Sequence, residues 1–130
     1  MPETRPSCVL LADRHHGLTE GVRGLLETTF GTVVMVADEA SLLEGAERIR
    51  PDVAIVDISL AQDSGLGWLR ALRQRCPEVK VIVLSVHDEQ SVRRAAMDAG
   101  ADSFVLKRAI ATDLLDAVES VRAGGSGKSR

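Results

Sequence analysis

The stretch Asp52-Val53-Ala54-Ile55-Val56-Asp57 (residues 52–57) places four apolar residues between two aspartates. An unbroken apolar run of this length is typical of a strand covered on both faces, as in a parallel α/β sheet. Three other runs also end on a reactive side chain: 8–12 before Asp13, 81–84 before Ser85 and 104–106 before Lys107. Since the carboxyl ends of parallel strands share one edge, where ligands bind, the sequence predicts that Asp13, Asp57, Ser85 and Lys107 meet there.

Apolar runs alternate with segments of helical period five times along the chain. We predict strands over 7–12, 32–37, 53–57, 79–85 and 102–106, each followed by an amphipathic helix. Pro51 and Pro77 end the second and third helices, because proline lacks an amide proton and disfavours helix at the preceding residue. The pattern predicts an α/β fold of the (βα)5 type, with a doubly wound parallel five-stranded sheet and right-handed crossovers.

The length of 130 residues and the composition indicate one domain, which we expect to cover residues 7–123. Residues 1–6 are an N-terminal tail, and the Gly/Ser-rich residues 124–130 predict a flexible linker that suggests a further domain. The formal charge of −3 gives no reason to expect nucleic-acid binding by this segment. No apolar run reaches the ~18 residues that span a membrane, and the opening residues are not expected to form a signal peptide. With two isolated cysteines, a cytoplasmic location is expected.

The predicted strand ends carry the groups needed for phosphoryl chemistry. Asp13 and Asp57 together would form an acidic pocket suited to a hard cation such as Mg²⁺. An aspartate can also attack phosphorus and form an acyl phosphate. The Lys107 ammonium would then neutralise phosphoryl oxygens, and the Ser85 hydroxyl would bind one of them. Each residue alone is more simply a cap, a turn former or a surface residue, but their joint occurrence favours a site.

Four segments of the chain resemble the receiver domain of bacterial response regulators, the phosphoacceptor part of two-component systems. They are residues 11–15 with Glu20 and Gly21, residues 52–60 with Gly65, residues 83–88 and residues 99–107. The first is similar to the opening of the NarL/FixJ subclass, whose receivers precede a helix-turn-helix DNA-binding domain. The resemblance covers about residues 7–123 and implies the flavodoxin-like receiver fold.

The resemblance implies a role for each residue of the predicted site. Asp57 would be the phosphoacceptor, Lys107 would contact the phosphoryl group, and Asp13, Asp57 and the Ser59 backbone carbonyl would bind Mg²⁺. Ser85 and Phe104 would be the switch pair: the phosphoryl group draws in the hydroxyl, and the ring rotates into the vacated space. Because Phe104 has no hydroxyl to hold it in water, its inward position is expected to be well populated already.

The main departure from the family is Arg14, which replaces the usual second acid after the first strand. If the guanidinium points inward, it should weaken Mg²⁺ binding and could partly replace the cation by pairing with Asp57 and Asp13. If it swings into water, the site merely loses one ligand. The sequence leaves both alternatives open.

We therefore expect the receiver domain of a transcriptional response regulator, a signalling domain rather than an enzyme. It would take a phosphoryl group from a histidine kinase onto Asp57 and respond by a conformational change and by self-association, as a homodimer. It would contact DNA only through a C-terminal domain outside this chain, and it would not contact membranes. The alternatives are a phosphorylation-independent pseudo-receiver with a degraded metal site and a stand-alone Mg²⁺-dependent phosphotransfer enzyme.

Overall fold

The computed structural model describes residues 7–14, 16–60 and 65–123. The predicted tails at 1–6 and 124–130 lie outside these residues, so the proposed domain limits stay predictions. The strands are β1 Cys8–Ala12, β2 Thr32–Val36, β3 Val53–Asp57, β4 Lys80–Ser85 and β5 Ser103–Leu106. The helices are α1 His16–Leu26, α2 Glu39–Ile49, α3 Gly67–Arg75, α4 Gln90–Ala99 and α5 Ile110–Arg122. Short 3-10 turns follow β3 at Ile58–Leu60 and β5 at Lys107–Ala109.

The five strands form one parallel sheet in the order β2-β1-β3-β4-β5. This is the flavodoxin-like order, in which the chain runs in opposite directions along the sheet on the two sides of the β1/β3 boundary. The predicted (βα)5 doubly wound fold is thus confirmed. A crevice between the carboxyl ends of β1 and β3 follows from this order, and Asp13 and Asp57 lie at those ends.

Both faces of the sheet are covered, which explains the continuous apolar runs. Alternate residues of β1 and β3 enter opposite layers: Leu10 and Val56 pack with residues of α2, α3 and α4, whereas Leu11 and Ile55 pack with residues of α1 and α5. All four side chains are buried. Burying such side chains contributes roughly 1.5–3 kcal/mol each relative to exposure, so this packing stabilises the central strands that carry the site.

The amino edge of the sheet carries two aspartates of its own. Asp52 immediately precedes β3, and its Oδ2 accepts a hydrogen bond of 3.0 Å from the Cys8 backbone N–H. Asp102 precedes β5, and its Oδ2 accepts one of 2.9 Å from the Val81 N–H. Each aspartate satisfies a backbone donor at the start of a neighbouring strand, so their role is structural.

Helix ends follow the predicted punctuation. Helix α2 ends before Arg50, which adopts the left-handed conformation (φ 53°) ahead of Pro51. Gly100 closes α4 with φ 121°, and a Cβ at this position would lie 2.6 Å from Cγ of Arg73. Glycine is therefore required there for both its backbone freedom and its lack of a side chain. None of the described helices is long and apolar enough to span a bilayer.

Candidate functional site

Two buried aspartates and a lysine meet at the carboxyl edge of the sheet. Asp13 and Asp57 are only 3% and 2% exposed and lie at the carboxyl ends of the neighbouring strands β1 and β3. Lys107 reaches them from the end of β5, with Nζ 2.7 Å from Asp57 Oδ2 and 3.2 Å from Asp13 Oδ2. One ammonium therefore bridges two buried carboxylates, an arrangement that compensates part of the cost of burying them.

The turn after β3 holds the Asp57 carboxylate from its other side. The 3-10 turn Ile58–Leu60 brings Ser59 back, so that its backbone N–H and its hydroxyl donate to Asp57 Oδ1 at 3.0 and 3.1 Å. Burial raises the pKa of Asp57, but the hydrogen bonds from Lys107 and Ser59 outweigh it and lower the pKa below its ordinary value. Asp57 is therefore ionised at neutral pH, the form that a nucleophile needs. From the sequence, only the carbonyl of Ser59 was predicted to take part in the site. The clamp that its N–H and hydroxyl form on Asp57 was not predicted.

Arg14 lies exposed at the rim of this pocket. Its Nη1 donates to the Ser59 backbone carbonyl over 3.4 Å. The side chain is thus exposed and yet engaged with the pocket, a combination that neither alternative from the sequence describes. The carbonyl that it contacts is the one the family resemblance assigns to the metal.

Ser85 ends β4 beside the site, but its hydroxyl is engaged elsewhere. The hydroxyl accepts from the His87 backbone N–H at 2.9 Å and donates to the His87 carbonyl at 3.1 Å. The residue is fully buried, and these bonds turn its hydroxyl toward its own loop. Of the four side chains predicted to meet, the structure thus joins Asp13, Asp57 and Lys107 by direct contacts and places Ser85 at the same edge.

Phe104 lies inward in β5, with only 7% of its surface exposed. Arg93 of α4 covers the ring, with its Cζ 4.7 Å from the ring centroid, a cation–π distance. Arg108, next to Lys107, donates to Asp88 at 2.8 Å and ties the loop after β4 to the end of β5. Sequence reasoning missed both arginines, because no local pattern links residue 93 with 104 or residue 88 with 108.

The donor set can be tested against a divalent metal. Asp13, Asp57 and the Ser59 carbonyl offer the oxygen ligands that Mg²⁺ prefers. Lys107 nevertheless lies between the two carboxylates, and Arg14 donates to the carbonyl. Within the described ranges, no group of three or more His, Cys, Asp or Glu residues is placed to hold a metal ion. Because Lys107 and Arg14 already bind the oxygens that a metal would need, these residues in their present arrangement do not fit a divalent ion.

The doubly wound sheet with an ionised aspartate at its carboxyl edge defines the class as a doubly wound α/β domain with an acidic site, and the comparison with known proteins identifies the family within this class. Residues 9–119 match the response regulator receiver domain family. The chain therefore belongs to this family, as the sequence motifs predicted. Receiver domains are signalling domains and typically bind Mg²⁺ at the phosphorylation site, so the donor set described above is a departure from the family.

Individual relatives fall within the predicted subclass. The chain is 39% identical to the nitrate/nitrite response regulator protein NarP of Escherichia coli strain K12, over 98% of this chain and 59% of that protein. It is 36% identical to the transcriptional regulatory protein DegU of Brevibacillus brevis, over 91% of this chain and 51% of that protein. A crystal structure of a LuxR-family two-component response regulator from Aurantimonas sp. SI85-9A1 superposes with a TM-score of 0.85 at 26% identity. That match covers 94% of this chain and 89% of the other.

The chain spans between half and three fifths of the length of these two curated relatives. It is thus a receiver domain of the NarL/LuxR type, and the relatives give no support to the pseudo-receiver alternative. The roles of the individual site residues stay predictions.

Proposed function

We propose that this receiver accepts a phosphoryl group on Asp57 from the phosphohistidine of a histidine kinase. The observation that carries the proposal is the position of Lys107, whose Nζ lies 2.7 Å from an ionised, buried Asp57 carboxylate. In the transfer, a carboxylate oxygen attacks phosphorus while the phosphorus–nitrogen bond breaks, and the bonding electrons return to the imidazole. Lys107 then stabilises charge on the transferred phosphoryl oxygens.

The proposed output is a rearrangement around Ser85 and Phe104. A phosphoryl group on Asp57 offers the Ser85 hydroxyl an anionic acceptor, which competes with the neutral His87 carbonyl 3.1 Å away. Phe104 is already inward, so little ring movement is needed, and the movement falls mainly on the 85–88 loop. Asp88, paired with Arg108, would pass the change on to the end of β5.

The changed surface would alter one of two contacts. One is the self-association of the receiver into a homodimer, and the other is its contact with a DNA-binding domain that follows it. Relatives described as transcriptional regulatory and response regulator proteins support this role. The apolar stripe of α5 (Ile110, Leu114, Val118 and Val121) is buried within the domain, so a self-contact through α5 would use its other residues. A cytoplasmic location is the one expected of a receiver that regulates genes.

The test is phosphorylation by a small donor. Wild type and Asp57→Asn are incubated with phosphoramidate, and intact mass is measured. Wild type should gain one phosphoryl group, and Asp57→Asn should gain none. The matched control is Asp52→Asn, which changes the aspartate at the other end of the same strand and should leave the adduct in place. A phosphoryl group that persists in Asp57→Asn, or a wild-type protein that accepts none under any condition, would refute the assignment.

A further inference from the structure

The Ser59 carbonyl, the oxygen that the family assigns to the metal, is contacted by a guanidinium in this chain. Arg14 Nη1 lies 3.4 Å from it. Ser59 also donates to Asp57 Oδ1 through its N–H and its hydroxyl, so Arg14 and Asp57 share Ser59 as a hydrogen-bonding partner. A Mg²⁺ ion would bind this carbonyl at about 2.0–2.1 Å. It would then lie close to a positive group that shares the same oxygen.

The balance of charge in the pocket also disfavours a bound Mg²⁺ ion. Lys107 contacts both Asp13 and Asp57, and Arg14 contacts Ser59 beside them, so among the described residues two carboxylates and two basic groups meet in the pocket. With the usual second acid at position 14, three carboxylates would meet one ammonium. The deficit of two charges would equal the charge of one divalent ion. Arg14 therefore supplies with a side chain the charge that a bound metal supplies elsewhere in the family.

Guanidinium chemistry suits this task. Arginine is charged at every physiological pH and presents five N–H donors in a planar fork that matches phosphoryl oxygens. Arg14 donates to Ser59 and is exposed, so an incoming phosphoryl donor can reach its head group. Lys107 is only 10% exposed and already holds both carboxylates. The exposed cation at the rim is thus the one placed to meet the phosphoryl oxygens first.

We propose that Arg14 is the resident cation of this site, and that Asp57 is phosphorylated without a divalent metal. This inference rests on the proposed function of Asp57. With phosphoramidate as the donor, an Asp57 oxygen forms a bond to phosphorus while the phosphorus–nitrogen bond breaks. The nitrogen is protonated before it leaves as ammonia with the bonding electrons, so the protein gives up no proton. Arg14 and Lys107 balance the charge on the transferred group.

The experiment measures the rate of adduct formation by intact mass, with EDTA and with Mg²⁺, in the 130-residue chain. Wild type should react in EDTA at a rate within about threefold of its rate in Mg²⁺. Arg14→Gln, which keeps hydrogen-bond donors but removes the charge, should lose about tenfold in EDTA, the equivalent of about 1.4 kcal/mol. Arg14→Asp should lose at least as much in EDTA and recover in Mg²⁺.

The matched control is Arg23→Gln. Arg23 is an exposed arginine of α1 whose Nε pairs with Glu27 at 3.1 Å. This variant should react like wild type under both conditions. Two-dimensional amide spectra of every variant show whether the fold is intact, so a lost adduct can be separated from a lost structure.

A second readout does not depend on phosphorylation. Titrations of Mg²⁺ followed by the amide shifts of Asp57 and Ser59 should show binding by Arg14→Asp that is several-fold to more than a hundredfold tighter than by wild type. The range reflects how far solvent screens an exposed guanidinium. Equal affinities in the two proteins would overturn the proposal.

Different experimental results would refute the proposed role of Arg14 and the proposed phosphorylation of Asp57. An adduct on wild type only in Mg²⁺, or an Arg14→Gln protein that reacts like wild type in EDTA, would overturn the role of Arg14 and leave Asp57 as the acceptor. An adduct on Arg14→Asp in Mg²⁺ but never on wild type would overturn both proposals, because this chain would then not be a phosphoacceptor with arginine at position 14. No adduct on any variant under any condition would refute the phosphoacceptor function itself, and the role of Arg14 with it.

Discussion

The two edges of the sheet each carry a pair of aspartates, and the pairs are satisfied in opposite ways. At the amino edge, Asp52 and Asp102 accept hydrogen bonds from backbone N–H groups of neighbouring strands. At the carboxyl edge, Asp13 and Asp57 are buried and share the ammonium of Lys107. The donors at the amino edge are backbone N–H groups, which are fixed by the strands. The donor at the carboxyl edge is a side-chain ammonium, whose torsions allow it to move if a group is added. The comparison shows that the same residue type serves structure or chemistry according to the partner that the edge provides.

The largest effect should come from removing the shared ammonium. Lys107→Gln removes the ammonium that bridges two buried carboxylates, and we expect the free energy of unfolding at pH 7 to fall by about 3 kcal/mol. Because the pKa of Asp57 is lowered in the folded protein, its contribution is full above the unfolded-state value of about 4 and is lost as the pH falls through the folded-state pKa. Wild type and variant should therefore converge at acidic pH in urea denaturation.

A matched control is Lys80→Gln, which changes a partly exposed lysine of β4. It should stay within about 0.5 kcal/mol of wild type at every pH. If Lys107→Gln changes the free energy of unfolding as little as this control does, the ion pairs of Lys107 do not stabilise the carboxyl edge. The proposed difference between the two edges would then be wrong.

The amino edge should show a smaller loss that leaves the chemistry intact. Asp102→Ala removes the acceptor of the Val81 N–H and the partner of Arg73, whose Nη1 lies 3.4 Å away. We expect a loss of about 2 kcal/mol in the free energy of unfolding. The rate of Asp57 phosphorylation should be unchanged while the protein is folded. Asp98→Ala, an exposed acid of α4, is the control and should change neither quantity. A folded Asp102→Ala protein that no longer accepts a phosphoryl group would show that the edges are coupled.

The smallest effect should lie on the switch side of the carboxyl edge. Arg93→Gln removes the cation over the Phe104 ring, a contact worth about 0.5–1 kcal/mol at an exposed position. The aromatic resonances of Phe104 should shift and broaden in NMR spectra as the ring samples outward positions. Arg94→Gln changes the next residue of the same helix and should leave those resonances in place. Unchanged Phe104 resonances in Arg93→Gln would mean that the core alone keeps the ring inward.

Much of the fold and part of the site could be predicted from the sequence. The five predicted strands agree with the observed ones to within one residue at each end, because continuous apolar runs have few other uses in a chain of this size. The meeting of Asp13, Asp57 and Lys107 follows from the strand ends, since parallel strands bring their last residues to one edge. The clamp by Ser59 was not predicted, because it depends on the 3-10 turn that folds the chain back on Asp57.

The sequence by itself determined the parallel sheet, its carboxyl edge and the residue types gathered there, because periodicity and strand ends are properties of the backbone that neighbouring residues dictate. Only the tertiary structure decided where the long or rotatable side chains go. Arg14 could have entered the pocket or left it, and it reaches the Ser59 carbonyl instead. Ser85 turns its hydroxyl to His87, and Arg93 lies over Phe104. These choices depend on side-chain torsions that cost little to change, so the surroundings in the folded molecule settle them.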